Sequence, residues 1–221
     1  MDASLIQTIA VYALPVLFAI TLHEAAHGYV AYLLGDNTAY VMGRVSLNPM
    51  RHIDPVGTVL VPFLLYFATA GSFLFGYAKP VPVMFNRLRD PRWHSMWVAL
   101  AGPGANFLMA LMWALLQLLV VKSGVDEVFF HQLTRAGVLV NLVMCAFNLF
   151  PLPPLDGGRI LSALLPQRYA YLLARIEPYG FFIVMGLVLI NALGNLWLRP
   201  LMHLLAVAIH FILTPFYFLL S

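Results

Sequence analysis

Six long apolar stretches account for most of this chain of 221 residues. A bilayer core about 30 Å thick takes about 20 helical residues per crossing, so stretches of this length predict membrane-spanning helices. The segments between them are short and leave no room for a large soluble domain. We therefore expect one integral membrane domain over residues 1–221, with apolar stretches at 5–34, 56–77, 96–121, 133–150, 181–198 and 201–220.

Composition excludes several other classes of protein. The chain is 62% apolar and 10% charged, whereas soluble domains carry about 25% charged residues. Twelve basic against nine acidic residues give a net charge of +3, but they are scattered and form no basic stripe for nucleic acid. The single cysteine, Cys145, excludes a disulfide framework and a cysteine-based zinc site. The predicted fold is an all-α polytopic membrane protein with five or so transmembrane helices.

The segment between the first and third apolar stretches is rich in glycine and proline, which break helices. Residues 41–47 and 77–83 could form short β-strands, and Pro80 and Pro82 would make the second an edge strand. Between them, residues 55–77 contain enough prolines and glycines to dip into the membrane and return. We expect a re-entrant segment there and short strands near the functional site.

The first apolar stretch contains the motif His23-Glu24-Ala25-Ala26-His27, an H-E-x-x-H pattern. Residues four apart share one helical face, so both imidazoles can reach one tetrahedral metal ion. Glu24 flanks that face, where it can act as general base on a water activated by the metal. From this composition about 0.003 chance occurrences are expected. The alternative is a pair of hydrogen-bonded core histidines beside a surface glutamate.

A second unusual segment, residues 148–158, reads N-L-F-P-L-P-P-L-D-G-G. Its prolines end an apolar helix and leave carbonyls that are tolerated at membrane depth only in a polar cavity or inside protein. Asp156 could complete a site of two histidines and one aspartate, and the Asn148 amide could donate to a peptide carbonyl or its oxyanion. Alternatively, Asp156 caps the helix that follows.

Together, the H-E-A-A-H and N-L-F-P-L-P-P-L-D-G-G motifs resemble the site-2 protease family of intramembrane zinc metalloproteases. Residues 43–57, 76–83 and 101–106 resemble its compact branch, so the likeness covers about 5–165, while the helices at about 179–220 add little specificity. The resemblance implies one catalytic zinc ion held by His23, His27 and Asp156, with Glu24 as catalytic acid and base. It also implies substrates cleaved in or near their transmembrane segments.

The connection at 122–128 is far too short for the PDZ domain that many bacterial members carry. Substrate choice is therefore expected to reside in the membrane portion or in a partner.

A topological argument concerns the depth of Asp156, which must match that of His27. If residues 56–77 crossed the membrane, Asp156 would arrive at the opposite face. The re-entrant alternative also places nine basic residues on one face of the membrane and two, Lys122 and Arg199, on the other. A full crossing would place seven on one face and four on the other. By the positive-inside rule, the amino terminus lies outside and the site nearer the cytoplasm of a bacterial inner membrane.

A second function was weighed, a zinc transporter or metal-sensing membrane protein, because intramembrane histidine and aspartate also mark ion paths. The remaining polar residues have open roles. Asn106 either orients the metal ligands or permits close helix packing, and His52, His203 and His210 are more easily explained by turns, packing or lipid headgroups.

Overall fold

The structure is a computed structural model that describes residues 3–60, 64 and 79–219. Long helices dominate it, joined by short helices and single turns of 3-10 or π type. In chain order the α-helices are α1 (Ala3–Leu33), α2 (Thr38–Val41), α3 (Pro91–Lys122), α4 (Val128–Asn148), α5 (Asp156–Leu164), α6 (Gln167–Ala174), α7 (Glu177–Leu189) and α8 (Arg199–Leu219).

Four helical segments are long and apolar enough to cross a membrane: Ile6–Leu33, Pro91–Lys122, Val128–Asn148 and Gly194–Tyr217. Helices α6 and α7 would make a fifth if counted as one span, but they are bent by 69° at their junction. The chain is thus a polytopic membrane protein. The prediction of five or so crossings agrees with this count only when the bent pair is included.

Local sequence explains where α3 begins and ends. The Asp90 side chain accepts a hydrogen bond from the Trp93 backbone N–H at 3.2 Å, and Pro91 occupies the first turn. At the other end Lys122 lies in the last turn, where a cation interacts favourably with the helix dipole, and Gly124 follows with φ +68°. Residues 123–127 then connect α3 directly to α4.

Small residues let the spanning helices approach closely. Gly137 of α4 lies against the ring of Trp113 in α3, where any Cβ would overlap the indole. Ala110 and Ala136 are also buried, at 0% and 3% exposure. Since lipid tails are as apolar as the side chains, close van der Waals packing of this kind replaces the hydrophobic effect between membrane helices.

Contacts at the two ends of the bundle fix the direction of its helices. The Gln7 amide donates to Gln132 Oε1 at 3.3 Å, which joins α1 and α4 near their amino-terminal ends. At the opposite end, Arg89 donates to the Leu33 carbonyl at 2.6 Å, and Arg92 donates to the Ala163 carbonyl at 2.8 Å. We call these the Gln7 end and the Leu33 end. Helices α1 and α4 therefore run in one direction and α3 runs in the other.

The last long helix starts at the Leu33 end. The Trp197 indole donates to the Ala146 carbonyl at 2.8 Å, and its ring lies 5.5 Å from that of Phe150. Both partners lie near the carboxyl end of α4. Arg199 follows two residues later, so its predicted position on the face opposite most other basic residues is wrong. Helix α8 then runs toward the Gln7 end, packing Ile209 and Leu213 against α3 and α4.

The prediction of short β-strands is also wrong: the described residues contain no strand. In 41–47, the N–H groups of Gly43 and Arg44 bond back to Tyr40 and Ala39, so they close the end of α2 instead of pairing with a strand. Gly43 has φ +64°, which a strand does not adopt.

In the second predicted strand, the described part is 79–83. Pro80 and Pro82 have no N–H to donate, while the N–H groups of Lys79 and Val81 bond to the His52 carbonyl and the Glu24 carboxylate. These two N–H groups therefore do not pair with a neighbouring strand. Arg44 also donates to the Lys79 carbonyl at 2.8 Å, so Lys79 lies beside Arg44 and His52. Of the predicted re-entrant segment 55–77, residues 61–63 and 65–77 lie outside the described residues.

Candidate metal centre

Helix α1 brings the two motif histidines together on one face, as their spacing of four predicts. Their Nε2 atoms lie 3.0 Å apart, and their rings meet edge to face with centroids 4.6 Å apart. His23 is buried at 5% exposure, and the His27 side chain is 12% exposed. Two nitrogen atoms thus converge on a point that is largely closed to the surroundings.

Asp156 reaches this point from the other half of the chain. After α4 ends at Asn148, the proline-rich turns fold the chain back, and Asp156 is the first residue of α5. Its Oδ2 lies 3.3 Å from Nε2 of each histidine. The N-cap position of α5 is Leu155, and no side chain caps the helix. Asp156 therefore does not take the alternative role of a helix cap.

The two glycines after Asp156 permit this turn. A Cβ on Gly157 would overlap the carbonyls of Leu149 and Phe150, and a Cβ on Gly158 would overlap the backbone of residues 152–153. Helix α5 can therefore begin directly against the chain that leaves α4. This close approach is the physical reason for a D-G-G sequence after the prolines.

The hydrogen bonds on the far side of each imidazole determine which nitrogen carries the proton. Asn106 donates through its NH₂ group to the Ala19 carbonyl at 3.1 Å and to Asn141 Oδ1 at 3.0 Å. Its Oδ1 therefore accepts from Nδ1 of His23 at 2.6 Å, while Nδ1 of His27 donates to the Val98 carbonyl at 2.7 Å. In both neutral rings Nε2 is left as an unprotonated acceptor.

Three acceptor atoms thus face one another at the centre of the site. Asp156 Oδ2 is buried and has no hydrogen-bond donor. Two nitrogen lone pairs and a carboxylate in contact need a cation between them.

Zinc satisfies this requirement. Ligands about 2.0 Å from a tetrahedral ion lie roughly 3.3 Å from one another. The three separations here are 3.0, 3.3 and 3.3 Å. Among the described residues, one group of three or more side chains could hold a metal ion, and it consists of His23, His27 and Asp156. These residues could therefore hold the zinc ion that the motif predicts.

Glu24 is held beside the histidines by a backbone donor. Its Oε2 accepts a hydrogen bond from the Val81 N–H at 2.8 Å, and the side chain is half-buried. The Val81 segment is itself fastened by Arg44, which donates to the Lys79 carbonyl. The sequence places Glu24 near the metal, but its contact with a segment 57 residues away has no signal in the sequence.

Asn148 lies at the carboxyl end of α4, where its amide donates to the Met144 carbonyl at 3.0 Å. One N–H of the amide is thus used within its own helix, and its predicted role toward an oxyanion stays a prediction. Val98, whose carbonyl fixes His27, was not identified as part of the centre from the sequence. Gly102 packs against both imidazoles, as expected if the glycines beside Asn106 flank the zinc helix, one of the two interpretations that the sequence left open.

The remaining histidines have other surroundings. His52 is buried at 1% exposure, and its Nε2 donates to the Ser46 carbonyl at 2.8 Å. The ring of His210 lies 5.6 Å from that of Tyr217. In the part of the chain that is described, neither His210 nor His203 belongs to a group of three side chains that could hold a metal ion.

Comparisons with known proteins agree with this chemistry. The profile of peptidase family M50 matches residues 125–191. The protein YwhC of Bacillus subtilis, named as a zinc metalloprotease, is 38% identical over 188 residues, which cover 83% of this chain and 81% of YwhC. Rip2 of Mycolicibacterium smegmatis, also named as a zinc metalloprotease, is 30% identical over 85% of this chain and 69% of its own length.

A more distant relative is the zinc metalloprotease MJ0392 of Methanocaldococcus jannaschii. It is 26% identical over 155 residues, covering 70% of this chain and 34% of MJ0392. No solved structure matches the chain significantly. The likeness to YwhC confirms the resemblance drawn from the two motifs. The chain therefore belongs to peptidase family M50, the family of the site-2 zinc metalloproteases.

Proposed function

We propose that this chain is an intramembrane zinc metalloprotease that hydrolyses peptide bonds in or near transmembrane segments of other proteins. The observation that carries the proposal is the convergence of His23, His27 and Asp156 within 3.3 Å, in a bundle of membrane-spanning helices. Family membership supports the zinc metalloprotease activity and the class of substrate, peptides or membrane proteins. The proposal treats residues 1–221 as one membrane protease domain.

In this proposal His23, His27 and Asp156 hold one zinc ion. When bound, zinc supplies Lewis-acid chemistry, activating a water molecule and polarising the scissile carbonyl. Asn106 and Val98 keep both histidines in the tautomer that leaves Nε2 free. They act as positioning residues, since outer hydrogen-bond partners of this kind orient metal ligands.

Glu24 is the proposed general base and acid. Its carboxylate takes a proton from the attacking water and later delivers it to the amine of the departing segment. The hydrogen bond from Val81 holds one carboxylate oxygen and leaves the other for this exchange. Asn148 is the proposed donor to the oxyanion that forms on the substrate, through the amide hydrogen that Met144 does not use.

The substrate must present an extended chain at the site, because the carbonyls of a helix are shielded and hydrogen-bonded. A cavity of about 300 Å³ lies beside the motif helix, lined mainly by apolar side chains of α1, α3 and residues 45–47. Its lining includes Ala25 and Ala26, which lie between the two motif histidines in sequence. We propose that it accepts an apolar substrate side chain.

The proposed location is a bacterial inner membrane, with the amino terminus outside and the site nearer the cytoplasm. Of the twelve basic residues, Lys122 and Arg135 belong to the Gln7 halves of their helices. The other ten lie near the Leu33 end, in the segments around the spanning helices or, for Arg92 and Arg199, in the first turns of α3 and α8. This asymmetry supports a cytoplasmic Leu33 end by the positive-inside rule.

The experiment that tests this function compares the wild type with Glu24→Gln in proteoliposomes. The substrates are a panel of single-span membrane proteins, and zinc content and zinc flux are measured in the same vesicles. A protease predicts cleavage by the wild type, none by Glu24→Gln, and equal zinc content. Zinc flux without hydrolysis would instead identify the transporter that the sequence left as an alternative.

A further inference from the structure

A second cavity, with Gln7, Gln132 and Arg135 in its lining, lies at the Gln7 end, between α1 and α4, far from the metal centre. Its volume is about 440 Å³. Arg135 lines it, seven residues after the first residue of α4, which places the side chain's origin about 10 Å along that spanning helix. An arginine at this depth is costly unless it finds an anion or water, so it marks a functional site by default.

The guanidinium of Arg135 has no carboxylate partner among residues 3–60, 64 and 79–219. The ion pairs found there involve the metal-centre residues and the pair Arg159 and Glu177. The acidic residues nearest in sequence, Asp126 and Glu127, precede α4, at least eight residues or about 12 Å of helix away. The residues that line the cavity include no acidic side chain. The lining that the structure describes therefore favours an anion and offers no carboxylate to pair with a cation.

Polarity in the cavity changes with depth. Gln132, Arg135 and Leu139 share one face of α4, and Gln7 and Tyr12 line the facing side on α1. The two glutamines lie closest to the helix ends, the arginine lies one turn deeper, and Leu139 lies one turn deeper again. Val11 and Ala136, buried at 5% and 3% exposure, also line it. With increasing depth the lining thus changes from amide to cation to hydrocarbon. This order matches the chemical groups of a phospholipid from its headgroup to its acyl chains.

The side of the cavity is open to the surface that the spanning helices present. Ile9 is 55% exposed, Leu139 44% and Tyr12 38%. On helices that cross a membrane, exposed apolar side chains of this kind face lipid. A ligand can therefore enter sideways from the bilayer.

We propose that this cavity, the Arg135 cavity, binds the phosphate of an anionic phospholipid in the leaflet at the Gln7 end. The guanidinium fork matches two phosphate oxygens, and the Gln7 and Gln132 amides donate at the rim. Because the described lining has no carboxylate to pair with an ammonium group, we expect phosphatidylglycerol to bind in preference to phosphatidylethanolamine. The lipid bridges α1, which carries His23 and His27, and α4, which leads to Asp156.

The test uses the full chain purified in detergent. Phosphatidylglycerol and phosphatidylethanolamine with the same acyl chains are added together, and the lipids retained are counted by native mass spectrometry. Arg135→Gln is compared with the wild type and with Arg168→Gln, which removes the same charge from an exposed position on α6. Arg135→Lys and Gln132→Leu serve as milder changes should Arg135→Gln fail to fold.

The wild type should retain phosphatidylglycerol preferentially and gain thermal stability from it. Arg135→Gln should lower the preference about tenfold, the loss expected for one charge-assisted hydrogen-bonded contact. Arg135→Lys and Gln132→Leu should give smaller losses, and Arg168→Gln none. An unchanged preference in Arg135→Gln would overturn the proposal. Equal stabilisation by inorganic phosphate would also overturn it, because the site would then be one for a soluble anion.

Discussion

Asn106 accepts a hydrogen bond from His23 at 2.6 Å, and the asparagine is completely buried in the bundle. The same amide donates to Ala19 of α1 and to Asn141 of α4. One side chain of α3 thereby connects three spanning helices and fixes the orientation of a proposed zinc ligand. This is the arrangement expected of a residue that prepares a metal site without touching the metal.

Asn106→Ala should therefore weaken zinc binding. The change leaves Nδ1 of His23 without its acceptor, so the ring can rotate or change tautomer. We expect a loss of 10–100-fold in zinc affinity, measured by competition with a chromophoric chelator. Thr134→Val is the matched control, since Thr134 is equally buried but its hydroxyl bonds only to carbonyls of its own helix. Equal affinities for the two variants would contradict the role of Asn106.

Gly102 and Gly104 give a sharper comparison within one helix. A Cβ on Gly102 would lie 2.6 Å from Cε1 of His23 and would overlap Nε2 of His27, whereas a Cβ on Gly104 meets nothing within 4 Å. Gly102→Ala should displace the imidazoles and lower both zinc content and cleavage by at least about tenfold. Gly104→Ala should leave both unchanged. The same result for both alanines would show that the approach of α3 to the histidines is not required.

The backbone donor to Glu24 can be removed by a single substitution. Val81→Pro deletes the N–H that bonds to the carboxylate at 2.8 Å. We expect kcat to fall about tenfold while zinc content stays the same, because a hydrogen bond to a charged group is lost without any change in the ligands. Val81→Ala keeps the N–H and removes only the buried side chain. If Val81→Ala lowers kcat as much as Val81→Pro, the contribution comes from packing and not from the donor.

The acid stability of the chain should depend on Asp36, which is fully buried just after α1. Burial raises the pKa of this carboxyl, but hydrogen bonds from Thr38 and Met84 and the charge of Arg87 lower it below its ordinary value. The unfolded chain therefore binds more protons than the folded one in the acid range. The stabilisation is present above about pH 4 and is lost as the pH falls through the folded pKa.

Asp36→Asn should thus be less stable than the wild type at neutral pH, by about 1–3 kcal/mol, and should lose less stability on acidification. Thermal unfolding in detergent between neutral pH and about pH 3 measures both effects. Asp126→Asn, at an exposed position, should retain the acid sensitivity of the wild type. A parallel loss of stability in Asp36→Asn and the wild type would exclude this carboxylate as a source of the pH dependence.

The sequence identified the parts of the site that have a fixed spacing or an unusual composition. His23 and His27 are four residues apart on a helix, and Asp156 stands out because it follows three prolines in an apolar region. Such signals are local, and they predict the chemistry because a metal site requires specific side chains. The long spanning helices were predictable for the same reason, since hydropathy over about 20 residues is decisive in a bilayer.

The contacts that complete the site are long-range and leave no comparable signal. Val81 donates to Glu24 through its backbone, and Val98 supports His27 through a carbonyl, so neither role depends on the side-chain type. The strand prediction at 77–83 failed in its described part, 79–83, for a related reason: alternating prolines and valines indicate extended backbone, but not what that backbone will bond to. Arg199 was misplaced because residues 181–198 look like one span in hydropathy, whereas α7 ends at Leu189 and the chain returns to α4.

The central claim is that His23, His27 and Asp156 hold the zinc ion on which hydrolysis depends. Zinc X-ray absorption on the inactive but metal-binding Glu24→Gln protein tests it most directly, with Asp156→Asn added in a second sample. The account predicts one zinc per chain with nitrogen and oxygen neighbours at about 2.0 Å, a signature of two imidazoles, and loss of stoichiometric zinc in the second sample. A sulfur neighbour, or full zinc occupancy with unchanged surroundings after Asp156→Asn, would contradict it.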